Sequence, residues 1–270
     1  MVTRHQLRAV KKLKNQKKQR GKYPSLLAKV IETSDIILEI LDARFPLEMQ
    51  NKELSELIKS KGKKIIYVLN KSDLTKNRDK KLSPQVFVSC KTHEGVKQLR
   101  NKIKAEASKI KKISKYDRIQ VGVIGYPNVG KSSLINLLIG RGSAKVGSEA
   151  GFTKAIQKLR LTEDILLLDS PGVIPAKEYS MTNEEKIAEQ VKVGGRSYNQ
   201  VRSPEIALNE IVKKYKKALE RFYKIKIEDA EDLIEKLGRK KGFLRKGGEV
   251  NSDRSARAVL KEWQLGKIKI

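Results

Sequence analysis

Gly125-Tyr126-Pro127-Asn128-Val129-Gly130-Lys131-Ser132 constrains the architecture of this chain more than any other segment. It fits G-x-x-x-x-G-K-[ST] and joins a short apolar run at 121–124 to a helical pattern beginning near Gly130, the strand–loop–helix context that this motif requires. Its glycines let backbone N–H groups close around a β-phosphate, Lys131 bridges β- and γ-phosphates, and Ser132 suits a magnesium ion. The helix N-terminus adds partial positive charge. Upstream of this loop, directly after the apolar run 64–69, stands Asn70-Lys71-Ser72-Asp73.

An aspartate at the end of that second motif can accept two hydrogen bonds from guanine, at N1–H and the exocyclic amine. Adenine lacks this donor pair and would leave the carboxylate unpaired. On this reading Asn70 ties its loop to the phosphate loop and the aliphatic stem of Lys71 covers the base. Taken alone, the tetrapeptide reads equally well as a strand-end turn capping a helix. Three further segments bear on the choice. Asp169-Ser170-Pro171-Gly172 follows the apolar run 165–168, where Asp169 can hold magnesium through a water and the Gly172 N–H can sense a γ-phosphate; an ordinary turn is the competing reading. Thr153, in Gly151-Phe152-Thr153, offers a hydroxyl to complete the magnesium shell. Ser89-Cys90-Lys91, ending the run 86–89, can present backbone N–H groups to the guanine oxygen.

Apolar runs at 36–41, 64–69, 86–89, 121–124 and 165–168 are short and apolar on both faces, as buried parallel strands are. Helical patterns lie between them at 51–60, 94–113 and 131–140. This alternation predicts a doubly wound α/β sheet, whose ligands bind at the carboxyl ends of the strands. Beyond residue 178 the pattern is helical throughout. Ser203-Pro204-Glu205 reads as a helix start with a capping hydroxyl, leading to a helix ending near Tyr223, and further helices are expected at 228–237 and from 251 or 252 to 265. The expected organisation is a basic arm at 1–24, an α/β domain at 25–178 and a small all-α domain at 179–270.

With 39% hydrophobic and 34% charged residues the chain reads as soluble and globular. No apolar run approaches the roughly 18–20 residues that a membrane span needs. The single cysteine, Cys90, excludes an intramolecular disulfide and fits a reducing cytoplasm. Sixty Lys and Arg against 31 Asp and Glu leave a net charge of +29. That excess favours a polyanionic partner, nucleic acid ahead of an anionic membrane, although lysine-rich surfaces also occur in thermophile proteins. The charge is clustered. Residues 1–22 carry basic side chains and no acid, and 91–118 are also strongly basic. A membrane-surface switch would need a lipidation site or amphipathic anchor, and the sequence shows neither a Met-Gly start nor a C-terminal cysteine.

Cut at Val121, read to Gly172 and rejoined at Ile36, the motifs fall into the order conventional for Ras-like GTPases: phosphate loop, Thr153, Asp169–Gly172, Asn70–Asp73, Ser89–Lys91. The chain thus resembles the circularly permuted GTPases of the YlqF/YawG family. Asp42-Ala43-Arg44-Phe45-Pro46 and the closing 258–267 segment extend the resemblance over about residues 25–267. The resemblance implies a circularly permuted P-loop GTPase domain followed by a small all-α domain, binding GTP or GDP with Mg²⁺ through Asn70, Lys71, Asp73, Ser89, Cys90, Lys91 and Asn128, Val129, Gly130, Lys131, Ser132 and Ser133. Lys131, Thr153 and Gly172 would serve hydrolysis, and Ser132, Thr153 and Asp169 the metal. The implied partners are a precursor of the large ribosomal subunit and its rRNA, with the protein a monomer. The runner-up is a GTP-dependent RNA-binding switch acting outside ribosome assembly, on tRNA or in translation.

Two departures affect hydrolysis. Bacterial members begin with a Phe-Pro-Gly-His-Met segment that this sequence lacks, and His5 is better read as a solvated arm residue. Val173 stands where Ras-like enzymes carry a water-positioning glutamine, so intrinsic hydrolysis is expected to be slow. Asn128 is similar to the asparagine with which related GTPases bind potassium, so K⁺ stimulation is expected. The chain leaving Gly172 leads through Pro175 toward the C-terminal helices, which predicts that γ-phosphate sensing repositions them.

Overall fold

The computed structural model describes residues 22–76, 78, 81–111, 117–140, 156–169 and 184–270. Residues 1–21 of the arm, Thr153, Ser170 to Gly172, Val173 and Pro175 therefore lie outside the described residues, and residues 22–24 of the arm open the first helix. A six-stranded sheet forms the centre. Its strands are β1 (Ile36–Asp42), β2 (Lys64–Asn70), β3 (Gln85–Phe87), β4 (Ile119–Gly125), β5 (Gln157–Arg160) and β6 (Ile165–Asp169), in the spatial order β3-β2-β1-β4-β6-β5. All neighbouring pairs are parallel except β5 with β6. Numbered from β4 as the permutation suggests, the order from the β5 edge reads second, third, first, fourth, fifth, sixth. A strand order that reverses in this way leaves a ligand crevice at the strands' carboxyl ends.

Every residue of β1 is buried, because β2 and β4 flank it and helices cover its faces. Those helices include α1 (Lys22–Thr33), the short α2 (Pro46–Met49), α3 (Lys52–Ser60), α4 (Val96–Ala107) and α5 (Lys131–Ile139). Register brings the chemistry to one edge: Asp42 lies opposite Asn70, Ile40 opposite Gly125, and Val123 opposite Asp169.

Glu39 sits in the middle of this strand, 3% exposed. It accepts hydrogen bonds from the Asn51 backbone N–H at 3.3 Å and the Ser55 hydroxyl at 3.2 Å. Burial outweighs both bonds and raises its pKa to about 7. A carboxyl whose native pKa exceeds its unfolded value favours folding below the unfolded value, and that contribution is lost as pH rises through about 7. Glu39→Gln keeps both partners without the charge. We expect this variant to be more stable than wild type by about 1–3 kcal/mol at pH 8.5, from the size of the shift, and the gain to vanish near pH 5. Urea unfolding at both pH values measures it.

The C-terminal third holds α6 (Glu184–Lys192), α7 (Pro204–Tyr223), α8 (Ala230–Lys241) and α9 (Ser252–Gln264), which pack on one another. Asp229 caps α8 by accepting from the Asp232 N–H at 2.8 Å, Gly242 closes it in the left-handed region, and Asn251 caps α9 through the Arg254 N–H at 3.0 Å. Several sequence expectations need adjustment. The pattern over 94–113 yields a helix that stops at Ala107. The Ser203 hydroxyl donates to Glu184 across to α6 at 3.2 Å instead of capping α7, leaving Pro204 at the first helical position to set the start. The region is helical as expected, with one isolated antiparallel bridge between Leu244 and Val250.

The hydrophobic cluster runs without a break from the sheet into these helices. Its joint is aromatic. Phe45, just past β1, lies 6.0 Å from Tyr215 and 6.0 Å from Trp263, whose rings are 5.1 Å apart. Trp263 is fully buried and its indole N–H donates to Lys192 O at 2.7 Å, so its polar edge is satisfied. Among the described residues, no helix is long and apolar enough to cross a membrane.

Candidate nucleotide-binding site

The two loops meet at the carboxyl ends of β2 and β4. The Asn70 amide donates to Val129 O at 2.7 Å, and its carbonyl accepts from the Cys90 N–H at 3.2 Å. One side chain thereby joins three segments far apart in the sequence. Gly130 is obligatory for this closure. It has φ +93, and a Cβ there would stand 2.4 Å from the Asn70 amide nitrogen. Asn128, also left-handed at φ 60, is a residue type that tolerates the conformation.

Asp73 follows Asn70 in a 3₁₀ turn over Ser72–Leu74. Its carboxylate accepts from the Ser89 hydroxyl at 2.6 Å, and that same hydroxyl oxygen accepts from the Lys91 and Thr92 N–H groups at 3.2 and 3.1 Å. The Ser89–Lys91 segment therefore orients the carboxylate that the sequence assigns to guanine. Cys90 is half-buried, and burial raises its thiol to about 11, so at neutral pH it contributes its backbone rather than a thiolate.

At the phosphate end, Lys131 is 7% exposed and donates from Nζ to Gly125 O at 3.1 Å and Tyr126 O at 2.9 Å. Burial lowers its pKa to about 8, against the opposing pull of the Asp169 carboxylate. Asp169 is raised to about 6 by burial, with Lys131 acting the other way. Its Oδ1 is buried without a hydrogen-bond partner among the described residues. An orphaned carboxylate oxygen beside the phosphate loop fits a hydrated divalent cation, so the residues present suit Mg²⁺. Ser132 and Ser133, both half-buried, open α5 at this point.

This geometry matches known proteins over most of the chain. A family model described as a 50S ribosome-binding GTPase matches residues 120–234. An uncharacterised GTP-binding protein of Methanocaldococcus jannaschii is 38% identical over 90% of this chain and 65% of its own length. Nucleolar GTP-binding protein 2 of Saccharomyces cerevisiae is 35% identical over 90% of this chain and 51% of its own. The crystal structure of GNP-bound YlqF from T. maritima superposes with a TM-score of 0.62, at 22% identity, over 92% of this chain and 97% of that one. The chain shares the fold of YlqF and is similar in sequence to these GTP-binding proteins. It spans less than two thirds of the length of these curated relatives.

One part of the candidate site is not apparent from its motifs. In the sequence Asp42, at the end of β1, stands out only as part of a family segment. Its carboxylate takes Arg44 at 2.8 Å and Lys71 at 3.1 Å, and the first pair has both side chains 2% exposed. Burial alone would raise Asp42, but the Arg44 and Lys71 charges and the Arg44 hydrogen bonds hold it well below the usual carboxylate range. Arg44 also donates to Trp263 O at 3.2 Å, and Lys71 to Gln264 O at 3.3 Å. The Ile270 N–H donates to Leu74 O at 2.9 Å. The end of α9 is therefore fastened to the Asn70–Asp73 loop itself. A buried acid closing an apolar strand is the signal the sequence offers, since such a group requires a cationic partner.

Proposed function

We propose that the chain is a circularly permuted P-loop GTPase that hydrolyses GTP and uses the cycle in assembling the large ribosomal subunit, which it contacts through RNA. The Asn70–Val129 bond supports the nucleotide reading, because it ties the loop bearing Asp73 to the loop leading into Lys131. Asp73, steadied by Ser89, selects guanine. Lys131 exchanges its loop carbonyls for phosphate oxygens, with Asn128, Val129, Gly130 and Ser133 supplying backbone or side-chain donors. Ser132, Asp169 and Thr153 would hold Mg²⁺, which neutralises charge developing on the phosphates. Gly172 would report the γ-phosphate to the helices. We assign residues 25–178 to nucleotide chemistry, and 1–24 and 179–270 to RNA.

The ribosomal partner is supported by the family model's description and by relatives named as nucleolar proteins. It also accounts for the +29 charge. Sedimentation with large-subunit precursors, in GDP and in a non-hydrolysable GTP analogue, tests both halves together. We expect tighter association with the analogue, a steep loss of binding with salt, and turnover that rises with the particle and further in K⁺ over Na⁺. Nucleotide-independent association would remove the switch, and equal rates in the two salts would remove the potassium role.

A further inference from the structure

A cleft of about 880 Å³ opens between α7 and the loops after β1 and β2. Asn70, Asp73, Ser89 and Lys131 do not line it, so it is separate from the nucleotide crevice. One wall is the exposed turn bearing Lys213, Lys214, Lys216 and Lys217, with Arg221 one turn on and Lys76 across the opening. A regular helix points consecutive residues all round its axis. Here α7 is kinked at Tyr215, with φ −127 and ψ 26, and residues 213–218 all border the cleft. Glu48 is the one acid among the described lining residues, 3.8 Å from Lys214. The lining also includes apolar and aromatic surface: Ala43, Pro46, Phe87 and Tyr215.

We infer that this cleft binds single-stranded RNA, with phosphates along the α7 lysines and bases against Phe87 and Tyr215. Cationic walls beside half-buried aromatic faces are the combination that single strands use, since every base has a face to stack. Duplex RNA is instead read by shape, across its minor groove. An acidic peptide would answer the charge but leave the aromatic surface without a matching partner. The choice of RNA rests on the ribosomal reading above; the location rests on the cleft.

The test is binding of the full chain to a fluorescent twelve-nucleotide oligouridylate across a salt series. Lys217→Glu with Arg221→Glu should weaken binding on the order of tenfold or more and lower the salt slope by about 0.7 for each phosphate that is no longer neutralised. GDP affinity should be unchanged, and photocrosslinks should fall on the peptides carrying Phe87 or Tyr215. Lys97→Glu with Lys104→Glu, exposed on α4 in the other basic region, should have little effect. The inference is overturned if the α7 reversal leaves RNA affinity and slope unchanged, or if the α4 reversal costs as much. It is also overturned if polyglutamate binds the cleft as well as RNA and no crosslink forms there. A protein that binds the oligonucleotide through this cleft yet ignores ribosomal precursors would retain the inference and lose the ribosomal assignment. One that sediments with precursors regardless of the α7 reversal would do the opposite.

Discussion

Asp73→Ala lowers the affinity for GTP and GDP by about 10²–10⁴-fold, while the weak affinity for ATP stays where it is. Two hydrogen bonds to a charged acceptor disappear, each contributing about 1.5–3 kcal/mol when its partner is otherwise buried. The carboxylate is held for this task by Ser89, whose hydroxyl is itself fixed by two backbone N–H groups. Asp73 is only half-buried, so the variant should fold and the loss should appear in binding alone. Competition between labelled GDP and each unlabelled nucleotide measures it. Unchanged GTP affinity would mean that the Asn70–Asp73 segment is merely a turn.

Asp42→Ala has the largest expected effect on stability, about 3–5 kcal/mol, or a fall in Tm of roughly 10 °C. Among the described residues, removing this carboxylate leaves buried Arg44 with the Trp263 carbonyl and the Phe45 and Trp263 rings but no anion, and Lys71 with the carbonyl of Gln264. The pH dependence has a definite sign. Because the native pKa is depressed, the stabilisation is complete above the unfolded carboxylate value near 4 and is lost only as pH falls through the lower native value. The difference between variant and wild type should therefore be flat from pH 6 to 8, unlike that of Glu39→Gln, and shrink only in acid. Since Lys71 loses its anchor, GDP should also stabilise the variant less than it stabilises wild type.

The sheet is largely readable in the sequence because its strands are short apolar runs closed by motifs, as at 64–69 before Asn70 and 121–124 before Gly125. Strand β5 is not, because Gln157–Arg160 is an edge strand of four residues, with three polar side chains and burial on alternate positions only. Helix α6 is hidden because its acidic and basic residues outnumber the few apolar ones, Ile187, Ala188 and Val191, that face the bundle. The residues proposed for the nucleotide are legible as types at fixed spacing. What spacing does not carry is contact between distant segments, Asp42 with Lys71 and Arg44 with Trp263, or the local kink at Tyr215. The sequence also suggests that the helical region answers to Gly172, which lies outside the described residues. The contacts that are described join it to the Asn70–Asp73 loop and the turn after it.

Asn70–Asp73 and Gly125–Ser132, placed in reversed order along the chain, should act as one guanine-nucleotide site. Titrating isotopically labelled protein with GDP while following backbone amide resonances decides this without any intervening assumption. We expect Asn70 to Asp73, Ser89 to Lys91 and Gly130 to Ser133 to shift together, saturating at one equivalent with a single Kd. Shifts confined to the phosphate loop, or two groups saturating with different Kd values, would refute a shared site.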